Sequence, residues 1–142
     1  MASAVILRSM WLLVAASSLL GCDRVRTTRE CRQLSAVVES ARRELNQVTG
    51  PRTVAAYRAS LPLYERVASR LQSTVESSQL RLLVEDYARS VRAIAPSVEA
   101  YADALDSKDQ ARLEAAGAEL DRAARRERLA SRRLEDQCHD RF

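Results

Sequence analysis

The chain has 142 residues, 23 of them basic and 19 acidic, for a net charge of +4, and Lys108 is the only lysine on a basic side otherwise made of arginine. Three glycines and three prolines are too few for collagen-like, low-complexity or most all-β architectures, which need turn residues at short intervals. A single histidine and three cysteines leave little material for a metal or redox centre, and the length suits one domain.

The first element is a targeting segment. Arg8 is the only charge in residues 1–22, and behind it an apolar stretch runs from Ser9 to Leu20. About 12 residues is signal-peptide length and falls short of the ~20 needed to span a bilayer. The stretch ends in Leu19-Leu20-Gly21-Cys22, which resembles the bacterial lipobox: an aliphatic residue, then a small residue just before a cysteine. The resemblance implies diacylglycerol on the Cys22 sulfur, cleavage after Gly21, and in many species a third acyl chain on the new amine. Two or more chains anchor stably where one is marginal. Residues 1–21 are then a lipoprotein signal peptide, 22–27 a lipidated tether and 28–142 the folded domain. A plain signal peptide or an uncleaved anchor, with Cys22 incidental, is the competing reading.

Cysteine arithmetic follows from that resemblance. An odd cysteine in an exported chain needs explaining, and lipidating Cys22 leaves Cys31 and Cys138 to pair in an oxidising compartment. The bond would close a loop of about 107 residues, for which chain entropy gives roughly 4–5 kcal/mol. The rival assignment, Cys138-His139-Asp140 as metal ligands, lacks the partner spacing of a zinc site.

From residue 28 the chain reads as four helices with apolar residues at alternating steps of three and four. The first seam is Cys31, Leu34, Val38, Ala41, Leu45 and Val48. The second is Tyr57, Leu61, Tyr64, Ala68, Leu71 and Val75. The third runs Leu80, Val84, Tyr87, Val91, Ile94, Val98, Tyr101, Leu105, and the fourth Leu113, Ala116, Leu120, Ala123, Glu127, Ala130, Leu134, Cys138. Such narrow seams belong to helices crossing at small angles. Thr27-x-x-Glu30 reads as a capping box opening the first helix near Thr28, and Ser107-x-x-Gln110 as another opening the fourth. Gly50 is predicted to end the first helix with positive φ, Pro51 to start the second, and Ser77-Ser78 to form the next turn. Short connections predict an all-α, antiparallel, up-down-up-down four-helix bundle. Pro62 and Pro96 fall inside helices two and three as bends rather than breaks, at similar heights. Four antiparallel helices return Cys138 to the end that holds Cys31, although summed rises leave a gap of about 14 Å to absorb.

Candidate chemistry is thin. No catalytic, cofactor-binding or metal-binding residue is nominated, and the chain is not expected to be an enzyme. His139 stands alone. There is no glycine-rich phosphate loop, no Glu-x-x-His pair and no C-x-x-C-H haem motif, and Met1 and Met10 leave with the signal. Glu127 is the one charge on a seam, either a ligand-binding or register-setting carboxylate or, as favoured here, an edge residue displaced by Leu129. Tyr57, Tyr64, Tyr87 and Tyr101 are read as core rings with hydroxyls at the rim. Arg24, Arg26, Arg29 and Arg32 flank the lipid site, and the topology brings Arg132, Arg133 and Arg141 near them; they suit either an anionic leaflet or a solvated surface. Nucleic acid is excluded by compartment.

Leu19-Leu20-Gly21-Cys22, Cys31 with Leu34 after it, and Cys138 behind an Arg- and Ala-rich helix together resemble small helical lipoproteins of envelope-rich bacteria such as myxobacteria. That group implies no activity and transfers no site. Two functions are therefore expected to compete. One is a membrane-anchored structural or protein-interaction module with an envelope protein partner. The other is a bundle that binds a small ligand or lipid, which needs an apolar cavity of about 300 Å³ or more.

Overall fold

The computed structural model describes residues 3–139, with side chains from residue 24 onward, and every element among them is an α-helix. The side chains of residues 1–23, Cys22 among them, together with residues 140–142 and hence Arg141, lie outside the described residues. The helices are α1 (Ser3–Thr49), α2 (Val54–Thr74), α3 (Ser78–Arg92), α4 (Ile94–Ser107) and α5 (Gln110–His139). Only Ala93 separates α3 from α4, so the bundle has four helices, the third of them interrupted.

That interruption corrects the expected continuous third helix. Pro96 has no N–H for the Arg92 carbonyl four residues back, and its ring presses on that carbonyl. The chain yields at Ala93, where ψ relaxes to −13° while the Ala93 N–H still donates to the Arg89 carbonyl at 3.0 Å. α2 runs unbroken past Pro62.

Three predicted boundaries also move. α1 does not begin near Thr28 but continues through residues 22–27: the Thr28 hydroxyl bonds the Arg24 carbonyl one turn back, and Glu30 is engaged with Glu76 and Ser77 instead of capping. Gly50 does not adopt positive φ. Arg52 does, at 52°, and the Arg52 N–H closes the turn on the Thr49 carbonyl. Gly50 matters instead for closeness, since a Cβ there would sit 3.1 Å from the Asn46 carbonyl. α2 accordingly opens at Val54, capped by the Thr53 hydroxyl, which accepts from the Ala56 N–H. The fourth helix is capped by Asp109, whose carboxylate accepts from the Arg112 N–H, while Ser107 ends α4 and Lys108 takes the left-handed conformation between them.

The seams form the core. Leu34, Leu71, Leu80 and Val84 are essentially inaccessible, each contributing roughly 1.5–3 kcal/mol. Fully buried Ala68, Ala88 and Ala102 let neighbouring helices approach closely. α1 packs on α2, α2 on both α3 and α4, and α5 on α3 and α4. Cross-links fix the levels. Glu30 of α1 meets the chain just before α3 at Glu76 and Ser77. Arg66 of α2 reaches Glu44 of α1. On α2, Arg58 reaches Asp103 and Asp106 of α4, and Glu65 holds Arg92 of α3 at 2.8 Å. Pro62 and Pro96 both lie between these last two links.

A candidate binding cleft between α1 and α5

α1 and α5 come together at one point. Cys31 and Cys138 are disulfide-bonded with Cα atoms 5.7 Å apart, and beyond that bond the described parts of the two helices hardly touch through their backbones. The gap is floored by α2, α3 and the start of α4. A cleft of about 330 Å³ is walled by Val38, Leu45, Leu63, Val67, Val91 and Ile94, with Tyr64, Tyr87, Arg42, Glu127 and Arg128 at its polar margin. A neighbouring hollow of about 380 Å³ lies beside the disulfide, and Val38, Arg42 and Tyr87 border both.

The two phenols and the carboxylate of this polar margin are seam positions. Tyr64 and Tyr87 step inward with their helices and are nearly enclosed, so both phenols are pushed above the usual tyrosine range, chiefly by loss of solvent. The Glu127 carboxylate faces both phenols and adds to both shifts. Opposing contacts come from Ser60 at Tyr64, and from Ser131 and the Arg42 charge at Tyr87. The phenols therefore stay protonated and keep O–H groups that a ligand could accept from. The arrangement can orient a ligand; it holds no nucleophile paired with a base.

Glu127 is half-buried against this margin, while Leu129, expected to take the core position, is 56% exposed. The displacement fails because the three-four rhythm runs from Ala123 through Glu127 to Ala130, all on the inner face, and Leu129 falls off it. His139 is exposed beside the disulfide hollow. Tyr57 and Tyr101 pack edge to face with centroids 5.5 Å apart, away from the cleft. Arg24, Arg26, Arg29, Arg32, Arg132 and Arg133 are all exposed. Among the described residues no group of three or more His, Cys, Asp or Glu side chains is placed to hold a metal ion, and no helix is long and apolar enough to cross a membrane.

Sequence reasoning missed Glu30. Its carboxylate is buried and accepts from the Glu76 and Ser77 N–H groups at 3.0 and 3.1 Å and from the Ser77 hydroxyl. Three residues after a threonine, it reads as a local cap; nothing in the sequence pairs it with residues 46 positions away.

The chain gives no match to protein-family models, to curated proteins or to solved structures.

Proposed function

We propose that this chain is a membrane-anchored lipoprotein of a bacterial cell envelope, held by acyl chains on Cys22 and serving as a non-catalytic structural or protein-interaction module. The observation that carries the reading is the Cys31–Cys138 bond. It uses two of three cysteines and leaves Cys22 as the remaining one, directly behind an apolar stretch of signal-peptide length. Disulfides persist in exported compartments, which is where lipidation also occurs. Residues 28–142 are assigned to an antiparallel up-down-up-down bundle. Support comes from the cross-links, which pair ascending positions on one helix with descending positions on the next. With the observed helix limits, the rises between Cys31 and Cys138 cancel to within about 2 Å, in place of the ~14 Å gap.

The anchor is tested by Cys22→Ser. The variant is expected to leave the membrane fraction or to accumulate uncut. A mature-size Cys22→Ser protein that still fractionates with membranes refutes the anchor.

A second reading, a bundle that binds a small apolar ligand or lipid, is favoured by the cleft of about 330 Å³ with two phenol donors at its margin. In that reading a fluorescent fatty acid binds saturably, and Val91→Trp, which fills the cleft, abolishes binding. Equal binding by the variant removes it.

A further inference from the structure

The two ends of the bundle carry opposite charge. The end that holds the disulfide is made of residues 24–35, 70–81 and 128–139, tied together by the Glu30–Ser77 contact and the Cys31–Cys138 bond. It carries nine arginines against four carboxylates, and one of the four, Glu30, is buried and occupied by Ser77. The exposed carboxylates there are Glu76, Glu135 and Asp136, and Arg133 also reaches Asp86 at 3.6 Å. The opposite end, residues 44–58 and 99–116, carries four cations against six carboxylates, with Arg58 committed to Asp103 and Asp106.

The basic end also has an apolar contact point. Val25 is 71% exposed and borders a shallow hollow with Arg24, Arg29 and Arg32. Guanidinium groups match phosphate in a two-point fork, and an exposed valine among them suits the boundary between headgroups and acyl chains. These residues follow Cys22 on the same helix.

We propose that this basic end is a docking face for anionic lipid headgroups, which stands the bundle upright on the leaflet that holds its anchor; the inference rests on the lipoprotein reading. The anchor brings the basic end to the headgroups at high effective concentration, ahead of any soluble acidic partner. The carboxylate-rich end is repelled. α5, with 30 residues, is about 45 Å long, several times the ~8 Å screening length at physiological salt. The far end therefore feels no attraction once the near end is seated.

Lys108, the only lysine, lies at the far end and supplies a unique side-chain amine for a donor dye. The acylated protein, purified from membranes, is reconstituted into vesicles of phosphatidylcholine alone or mixed two-to-one with phosphatidylglycerol, with an acceptor dye in the headgroup layer. Docking predicts weak energy transfer on the anionic vesicles, because Lys108 is held away from the surface. Transfer rises when salt is added, or on neutral vesicles, where the bundle tilts freely about its acyl anchor. Arg24→Gln and Arg29→Gln are each expected to reduce the upright population about fivefold. Transfer that ignores phosphatidylglycerol, or that ignores both substitutions, overturns the docking face. So does lipid-independent crosslinking of the wild-type basic end to an acidic protein that Arg24→Gln and Arg29→Gln each abolish. The mass of the Cys22 peptide separates the two failures. An unmodified cysteine removes the anchor and the docking face together, whereas an acylated cysteine without lipid-dependent orientation removes the docking face alone.

Discussion

Replacing Glu30 with alanine should be among the most damaging single changes in this bundle. Glu30 is only 5% exposed, and its carboxylate is the acceptor for two backbone N–H groups and one hydroxyl where the chain enters α3. α3 has no substitute. Its first turn contains no acidic residue, and Ser77, the N-cap, makes no side-chain cap bond of its own because its hydroxyl is turned to Glu30. Hydrogen bonds to a charged acceptor contribute about 1.5–3 kcal/mol each, and a negative charge at a helix N-terminus adds roughly 0.3–1 kcal/mol. The Ser77 groups are buried, while the Glu76 N–H is only partly so and recovers water when the carboxylate is lost. The net loss for Glu30→Ala is therefore about 3–5 kcal/mol, a large share of a typical total of 5–15 kcal/mol. Glu30→Gln keeps the shape and one acceptor oxygen and should lose about 1–2 kcal/mol. Urea unfolding of the oxidised proteins, followed by helical circular dichroism, measures both; Tm should fall by roughly 10–20 °C for the alanine. A loss under about 1 kcal/mol for Glu30→Ala, or equal losses for alanine and glutamine, refutes the assignment.

Other expectations follow from the same geometry. The purified protein should migrate faster on non-reducing gels, and Cys31→Ser or Cys138→Ser should each abolish that shift and cost about 2–5 kcal/mol; free thiols at both positions contradict this. Leu80→Ala, at a fully buried seam position, should cost about 2–5 kcal/mol in denaturant unfolding, and a cost near zero would mean that the seam is not packed there. In alkaline absorbance titrations Tyr64 and Tyr87 should ionise later than a free tyrosine, and Glu127→Gln should bring Tyr87 part of the way back, burial holding the rest. Because their folded values lie above the unfolded value near 10, the associated stability is complete below about pH 10 and lost as pH climbs through the folded values; an unfolding free energy that is flat across that range is the opposing result.

Helical periodicity was the most legible property of this chain. Every described seam residue, from Cys31 to Cys138, is buried or half-buried, because a three-four spacing converts directly into one face of a helix. Helix ends were less legible, since several residues compete for each cap. At the last turn a carboxylate at Asp109 wins over the hydroxyl of Ser107, and at the first the strained φ falls on Arg52 and not on Gly50. The cleft and the Glu30 contact were not legible at all. Both depend on which side chains meet across helices, and periodicity states only that a residue faces inward. Glu127 shows the distinction: its rhythm pointed to the inner face, the preference for an apolar core favoured Leu129 instead, and the two phenols that it faces belong to other helices.

The disulfide also has a mechanical consequence. Cys31 and Cys138 enclose nearly the whole bundle in one covalent ring. A pull applied to the chain before Cys31 and beyond Cys138 passes straight through the sulfur bridge, so residues 32–137 carry none of the load. Stretching from those two sides should extend the molecule only by the segments outside the ring while the core stays folded, and reduction would release the full contour length between the cysteines. The same closure holds the pieces together if a protease nicks the exposed turn at residues 50–53: one backbone bond is cut, but the two halves remain a single molecule.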